Sequence, residues 1–276
     1  MQIAVHQMCS GIEPLQNANI MKNTIAAAAR DGAAMYFAPE MSILIDRDRN
    51  RSQECLCVES HTVALQKICD AAAKASIWVH LGSIPVRTEA DNQRLANRSI
   101  VIDDMGKIRA RYDKMHLFDV ALAGGENWRE SSVYNPGVEP VVVDTPIGLL
   151  GLTICYDMRF PDLFSILAKN QVNAIAVPAA FTVPTGKAHW HTLLRARAIE
   201  AQAFVIAAAQ SGQHEDGRST FGHSLVIDPW GEVLLDMGEG EGLGFAEIDL
   251  ARIAEVRSQI PVHANRRTVS DQVRRF

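Results

Sequence analysis

Short runs of apolar and β-branched residues recur along the chain, and each has the length of a buried strand. Between several of these runs, apolar positions follow the three-to-four-residue spacing of an amphipathic helix. The alternation of strands and helices predicts an α/β fold in which helices cover a sheet. The predicted strands are 2–7, 34–38, 77–84, 98–103, 140–144, 149–154, 173–180, 204–210, 223–227, 232–235 and 244–248, and the predicted helices are 16–30, 61–75, 162–169, 188–202 and 249–258.

One pair of predicted strands is joined by a tight turn. The turn segment Asp228-Pro229-Trp230-Gly231 separates the runs 223–227 and 232–235 and is rich in residues that favour turns. This pattern predicts a β-hairpin. Its antiparallel pairing, next to strands connected through helices, predicts a mixed sheet.

The chain has 276 residues, within the range of a single large α/β domain. The polar stretches 46–54 and 87–94 are only long enough to be loops. Neither an internal repeat nor a linker rich in Gly, Ser or Pro divides the sequence. We therefore predict one domain over residues 1–276.

Composition and charge exclude several classes of partner. The formal net charge is -5, without the excess of Lys and Arg that binds nucleic acid or an anionic membrane. No apolar run approaches the ~18 residues of a membrane span, and the first residues do not resemble a signal peptide. These features predict a cytoplasmic protein that acts on small molecules.

Cysteine usage predicts free thiols. The five cysteines form an odd count, and their spacing matches neither a disulfide framework nor a paired zinc site. We therefore expect no metal at these positions. The cysteines are Cys9, Cys55, Cys57, Cys69 and Cys155.

Three predicted strands end at a residue that could carry chemistry, where a sheet enzyme commonly places its functional side chains. Glu40 directly follows a strand and Pro39, so burial would raise its pKa and suit it to act as a general base. A salt-bridged or capping glutamate is the alternative. Lys114 lies among aromatic and apolar residues, where it would be a buried functional lysine or a surface lysine with a buried stem.

Cys155 ends the run 149–154 and precedes Pro161, which predicts the first turn of a helix. A cysteine there is a nucleophile only if it loses its proton, which requires a base and a positive charge nearby. Glu40 and Lys114 supply one of each. A Cys/His pair is the alternative, but His189 and His191 are two residues apart on a predicted helix and face different sides.

Three motifs carry a resemblance to a known family. They are Phe37-Ala-Pro-Glu40, Tyr112-Asp-Lys114-Met-His-Leu and Ile154-Cys155-Tyr-Asp-Met-Arg-Phe-Pro161. In type and order they resemble the Glu, Lys and Cys motifs of the nitrilase superfamily, the carbon–nitrogen hydrolases. The resemblance continues through Pro178–Thr182, Leu194–Glu200 and Ile227–Gly231. It implies a four-layer α-β-β-α sandwich with mixed sheets and a Glu-Lys-Cys catalytic set without metal or organic cofactor.

The resemblance also implies roles for residues around the catalytic set. The Tyr156 backbone N–H would join Lys114 in holding the oxyanion of the tetrahedral intermediate. A second glutamate would support the lysine, and Glu130 fits its motif better than Glu126. Phe181, Thr182 and Arg159 would contact the substrate, although Arg159 could instead pair with a neighbouring aspartate. The list of expected site residues is Glu40, Lys114, Cys155, Glu130, Tyr156, Phe181, Thr182 and Arg159.

Within the family, the chain most resembles the branch that hydrolyses deaminated glutathione. We expect hydrolysis of a primary amide of a small carboxylic or 2-oxo acid through a cysteine thioester, with deaminated glutathione giving 2-oxoglutarate and cysteinylglycine. The alternatives are an ω-amidase acting on 2-oxoglutaramate, another small-amide or nitrile hydrolase, and a catalytically silent binding protein. His191 and Lys187 depart from the family pattern near the pocket. The resemblance also implies a homodimer or higher homo-oligomer.

Overall fold

The computed structural model of the protein describes residues 1–88, 94–121, 127–270 and 272–276. Its strands in chain order are β1 Gln2–Gln7, β2 Met35–Phe37, β3 Trp78–His80, β4 Ile84–Arg87, β5 Leu95–Ile102, β6 Ile108–Asp113, β7 Asp119–Ala121, β8 Asn127–Arg129, β9 Val141–Thr145, β10 Gly148–Leu152, β11 Ala174–Ala176, β12 Phe204–Ala207, β13 Ser211–Gln213, β14 Ser219–Phe221, β15 Leu225–Ile227, β16 Val233–Asp236 and β17 Gly242–Glu247. Its α-helices are α1 Pro14–Arg30, α2 Arg49–Cys55, α3 Val63–Ala75, α4 Pro161–Lys169, α5 Val183–Ala201, α6 Leu250–Gln259 and α7 Val262–Asn265.

The strands form two large sheets. The first has the order β17-β1-β2-β3-β5-β4, with β6 paired to β5, and the second has the order β16-β15-β12-β11-β10-β9. In the first sheet β1, β2 and β3 are parallel, whereas β17 and β5 pair antiparallel at either side of them. In the second, β10, β11 and β12 are parallel and are flanked by antiparallel β9 and β15. Both sheets are therefore mixed, as predicted.

Side chains alternate between two cores along the first sheet, because successive residues of a strand point to opposite faces. Val5 and Phe37 join the core that also contains the second sheet, whereas Ala4 and Tyr36 join the core beneath α1 and α3. On the other side, α4 packs on β10 so closely that a Cβ on Gly151 would lie 3.0 Å from Leu167 Cδ1. The two sheets thus face each other between two helical layers, which is the predicted α-β-β-α sandwich.

The predicted hairpin is present. β15 and β16 pair antiparallel, and Asp228 organises the turn between them by accepting hydrogen bonds from the backbone N–H groups of Trp230 and Glu232. Gly231 has φ 90°, a conformation that glycine adopts at little cost.

Several predicted boundaries differ from the structure, and the strands β6, β7, β8, β13 and β14 were not predicted. Helix α5 begins at Val183 rather than 188, because Pro184 is tolerated in the first turn, where its missing N–H would have no partner in the helix. The stretch 46–54, predicted as a loop, contains all but the last residue of α2, whose first turn is capped by the Asp48 side chain. This helix buries no residue, so the apolar pattern gave no signal for it. Residues 89–93 of the predicted loop 87–94 lie outside the described residues.

Among the described residues, no helix combines the length and the apolar character that crossing a membrane requires.

Candidate active site

Two sheets supply the candidate residues, each just past the end of a strand. Glu40 follows β2 and Lys114 follows β6 in the first sheet, whereas Cys155 follows β10 in the second. Glu130 begins a short 3₁₀ helix, Glu130–Ser132, after β8. Because the two sheets pack face to face, these four positions meet at one edge of the sandwich. We call Glu40, Lys114, Glu130 and Cys155 the buried cluster.

The lysine at the centre of the buried cluster is enclosed by carboxylates. Lys114 Nζ lies 2.8 Å from Glu40 Oε1 and 2.9 Å from Glu130 Oε2, and the lysine side chain is only 2% exposed. Burial alone would lower the pKa of Lys114, but the charges of Glu130 and Glu40 raise it well above its ordinary value. The alternative of a surface lysine with a buried stem is therefore wrong.

Glu40 is held through both carboxylate oxygens. Oε1 accepts hydrogen bonds from Lys114 and from Asn97 Nδ2, at 2.8 and 2.9 Å, while Oε2 accepts from the Ala180 backbone N–H at 2.9 Å. Burial raises the pKa of Glu40, but the charge and the hydrogen bonds of Lys114 outweigh burial, so the net pKa lies below its ordinary value. The predicted rise in this pKa is wrong, because the sequence did not show the lysine contact. Glu40 is ionised near neutral pH and can accept a proton.

Cys155 is the first residue of a 3₁₀ helix, Cys155–Arg159, which follows β10 after a tight turn. Its φ of 46° is unusual for a residue other than glycine, and its N–H donates to the Pro178 carbonyl at 2.9 Å. Burial and the charge of Glu40 raise the pKa of the thiol well above its ordinary value, although Lys114 opposes this. The resting state therefore combines a neutral thiol with a neighbouring ionised carboxylate.

The backbone after Cys155 leaves one donor available. Cys155 N–H donates to Pro178, and Asp157 N–H donates to the Ile154 carbonyl. Among the described residues, the intervening Tyr156 N–H has no acceptor in the protein. The first N–H groups of a helix cannot bond within it, so this group is free to bind an oxyanion beside the thiol.

Of the two glutamates considered for a supporting role, the structure brings Glu130 to the lysine. Glu130 Oε2 also accepts the Phe118 backbone N–H at 2.6 Å, and Oε1 accepts from Asn97 Nδ2 at 3.2 Å. These contacts fix its carboxylate against Lys114. The alternative, Glu126, lies outside the described residues.

Sequence reasoning missed two buried polar residues that hold the site together. Asn97 bridges Glu40 and Glu130, but the predicted strand began at 98 and left it in a loop. The Asp157 carboxylate accepts hydrogen bonds from Tyr112 Oη at 2.7 Å and from the N–H groups of His116 and Ile154 at 3.0 and 2.8 Å. It thereby ties the segment that carries Lys114 to the turn that carries Cys155. Its presence in the cysteine motif was the available signal.

A cavity of about 790 Å³ opens above the buried cluster. Phe181 and Thr182, which follow β11, line it together with Tyr156. Arg159 is not among its lining residues. The Arg159 guanidinium instead lies 5.3 Å from the centre of the Phe181 ring and 3.3 Å from His189 Nδ1, so the alternative of an ion pair with a neighbouring aspartate is not what the structure has.

The histidines considered as partners of a nucleophilic cysteine have other contacts. His189 meets Arg159, and His191 lies 2.9 Å from Asp236. The different directions of these two side chains confirm that they face different sides of the helix. His116 Nδ1 lies 2.7 Å from an Asp157 oxygen. Glu40 and Lys114, and none of these histidines, are the charged groups that act on the Cys155 thiol.

One group of side chains outside the buried cluster has donor atoms suited to a metal ion. His191, His223 and Asp236 bring one ligand atom each to within 4.8 Å of one another, and two imidazoles with a carboxylate form a familiar donor set. The same atoms already form His191–Asp236 and His223–Asp236 contacts, both of 2.9 Å. These contacts link α5 to the β15–β16 hairpin. The expectation of no metal in the catalytic set stays a prediction.

Comparison with known proteins agrees with this arrangement. The sequence model for carbon-nitrogen hydrolase matches residues 2–258. The deaminated glutathione amidase of Bos taurus is 39% identical over 268 residues, covering 96% of this chain and 81% of that protein.

A fusion protein is also similar to this chain. The nitrilase and fragile histidine triad fusion protein NitFhit of Caenorhabditis elegans is 41% identical over 267 residues, which cover 96% of this chain. The chain spans 60% of the length of that protein. Its crystal structure has a TM-score of 0.88 to this chain, at 40% identity and with 96% of this chain and 65% of that chain covered.

A second solved structure extends over the whole fold. Saccharomyces cerevisiae Nit3, described as a member of branch 10 of the nitrilase superfamily, has a TM-score of 0.86 at 28% identity. The match covers 97% of each chain. The four-layer sandwich is therefore shared along nearly the full length.

Proposed function

This chain belongs to the carbon–nitrogen hydrolase family, and from that premise we propose that it is an amidase that cleaves deaminated glutathione through a thioester on Cys155. The observation that carries the proposal is that an ionised Glu40, a neutral Cys155 thiol and a buried Lys114 ammonium, 2.8 Å from Glu40, line the same cavity. A base, a nucleophile and a fixed positive charge are the parts that acyl transfer through cysteine requires. The catalytically silent alternative would not require all three to be held together.

In the first step, Glu40 accepts the thiol proton as the sulfur of Cys155 forms a bond to the carbonyl carbon. The raised pKa of Cys155 means that little thiolate exists beforehand, so proton transfer accompanies attack. The oxyanion that forms is stabilised by the Lys114 ammonium and the Tyr156 N–H. Such donors are already oriented before the charge develops, which makes them effective.

Collapse of this intermediate breaks the carbon–nitrogen bond, and protonated Glu40 gives its proton to the departing amine. Water then attacks the thioester while Glu40 accepts its proton, and as the carbon–sulfur bond breaks Glu40 returns that proton to the Cys155 sulfur, which restores the thiol and the ionised carboxylate. Glu40 is therefore ionised at the start and at the end of each half of the reaction. Glu130 and Asn97 keep Lys114 and Glu40 in place during both halves.

The expected bond was a primary amide, but deaminated glutathione does not contain one at the site of cleavage. Its scissile bond joins the 2-oxoglutaryl group to the amine of cysteinylglycine, so it is a secondary amide and its leaving group is a dipeptide, not ammonia. Support for this substrate comes from the 39% identity to the amidase of Bos taurus and from a cavity of about 790 Å³. The smaller 2-oxoglutaramate, which releases ammonia, is the alternative substrate.

The two substrates can be compared directly with purified protein. We expect cysteinylglycine and 2-oxoglutarate from deaminated glutathione, followed by mass spectrometry, with a higher kcat/KM than ammonia release from 2-oxoglutaramate. Cys155→Ala should reduce both rates by at least about 10⁴-fold, because the nucleophile is gone. Equal turnover by the Ala variant would contradict the mechanism, and faster ammonia release by the unmodified protein would favour the ω-amidase alternative.

We also propose that the protein assembles as a homodimer or larger homo-oligomer, which the family resemblance supports. Its free cysteines support a cytoplasmic location, because thiols stay reduced there. Light scattering of the purified protein would measure its mass against the 30.3 kDa of one chain.

A further inference from the structure

The outer part of the cavity carries a positive charge that the mechanism does not use. Among the residues that the structure describes, the charged lining residues outside the buried cluster are Arg47, Arg49, Arg129, Arg218 and Asp46. Asp46 is bound by Arg51 at 2.7 and 2.8 Å, so its charge is compensated. The outer cavity is therefore cationic although the whole chain has a net charge of -5.

Two of these arginines are arranged around one aromatic ring. The guanidinium carbons of Arg47 and Arg218 lie 5.6 and 5.1 Å from the centre of the Trp128 ring. A guanidinium over an indole is attracted to the ring and held in place by it. We call Arg47, Arg218 and Trp128 the arginine rim. All three line the cavity.

The arginine rim has one positive charge in excess. Asp216 is the shared partner, 2.7 Å from Arg218 and 3.9 Å from Arg47, and its side chain is fully buried. One carboxylate thus compensates one of two guanidinium groups and cannot reach a ligand. Arg47 is 51% exposed and Arg218 is 17% exposed, so both can still donate hydrogen bonds into the cavity.

Building on the proposed function, we propose that the arginine rim binds a carboxylate on the leaving group, so that this protein selects amides whose amine portion ends in an anion. An arginine fork matches a carboxylate with two parallel hydrogen bonds. A dipeptide leaving group places its terminal carboxylate about 7 Å beyond the scissile bond. Only a cavity that extends past the buried cluster can bind such a carboxylate. The leaving group of 2-oxoglutaramate is ammonia, which carries no carboxylate.

The test uses two substrates that differ only at this position. One is deaminated glutathione, and the other is its C-terminal amide, 2-oxoglutaryl-cysteinylglycinamide. For the unmodified protein we expect kcat/KM to be about tenfold higher for the carboxylate, because a charge-assisted pair is lost in the amide. The difference should lie in KM, since the contact is remote from the reacting atoms and forms equally in ground and transition states.

Variants then assign the effect to the arginine rim. Arg47→Gln should bring the carboxylate-to-amide ratio close to one. Arg218→Lys, which keeps the charge beside Asp216 but loses the fork, should lower the ratio in part. Arg109→Gln is a matched control, because Arg109 is 55% exposed and has an equally long contact with an aspartate, 3.8 Å, yet does not line the cavity. It should keep the full ratio.

The outcomes are separable. If the unmodified protein cleaves both substrates equally well, or if Arg47→Gln and Arg218→Lys both keep the full ratio, the role of the arginine rim is wrong while the amidase function stands. If the unmodified protein cleaves neither substrate, the proposed function fails and the inference fails with it.

Discussion

The buried cluster and the arginine rim line the same cavity but are built differently. In the buried cluster, Lys114 is 2% exposed and bonded to two carboxylates. In the rim, Arg47 is 51% exposed and lies 3.9 Å from the Asp216 carboxylate. Charges withdrawn from water interact strongly and are costly to leave unpaired, whereas exposed charges interact weakly. We therefore expect changes in the cluster to affect turnover and stability, and changes in the rim to affect substrate choice.

Among changes that leave the nucleophile in place, the largest effect is expected for Lys114→Met. Removing the ammonium leaves Glu40 and Glu130 facing each other without a cation. We expect kcat to fall by about 10²–10³-fold, the effect of losing an oxyanion donor, and the free energy of unfolding to fall by about 3–5 kcal/mol near neutral pH. Steady-state kinetics and urea unfolding measure the two effects, with Lys169→Met on the exposed end of α4 as control.

The pH dependence of this loss sharpens the prediction. Without Lys114, burial raises the pKa of the Glu40 carboxyl in the folded state, so the variant is favoured where Glu40 is protonated and loses stability as pH rises. The deficit should be larger at about pH 8 than at about pH 5. A deficit that does not change with pH would show that lost packing, not unpaired charge, destabilises the variant.

The second prediction concerns the pH profile of the unmodified protein. The pKa of Glu40 is lowered, so kcat/KM should stay constant through neutral pH and fall only below the ordinary glutamate range, about tenfold per pH unit. A carboxyl with a lowered folded pKa also stabilises the fold above its unfolded pKa, and this contribution is lost as pH falls through the folded value. Circular dichroism over the same range separates lost activity from unfolding.

An inflection near the ordinary histidine pKa, about 6.5, would contradict this assignment. It would revive a Cys/His pair. His6 and His80 could not produce it, because burial lowers their pKa values to about 4 and about 3.

The smallest effect is expected on the cavity wall. Thr182→Val removes a hydroxyl that lies 2.7 Å from Thr185 Oγ1 while keeping the shape of the side chain. If Thr182 binds substrate, KM should rise about two- to tenfold, the worth of one neutral hydrogen bond, with kcat unchanged. Thr145→Val removes a hydroxyl from β9 that donates to Gly148 and should leave KM as it is. A lower kcat in Thr182→Val would instead indicate that Thr182 acts in the chemical step, as the residues of the buried cluster do.

Local sequence patterns sufficed for most of the fold. The hairpin at Asp228–Gly231 and the helices α1, α3, α4 and α6 were predictable because spacing and turn residues act over a few positions. Helix α2 was not, because its stability comes from the cap at Asp48 and not from a buried face. The start of α5 was missed because a proline is equally compatible with the interruption of a helix and with its first turn.

The sequence by itself determined which residues could carry the chemistry: Glu40 and Cys155 were identifiable from their position after an apolar run, and Lys114 from its aromatic and apolar neighbours and its motif. Only the tertiary structure decided their protonation states, because the pKa of each depends on charges that are distant in sequence and adjacent in space. Lys114 lowers the pKa of Glu40, and Glu40 raises that of Cys155. The same holds for the arginine rim, since Arg47 and Arg218 share Trp128 and Asp216 only after the chain has folded.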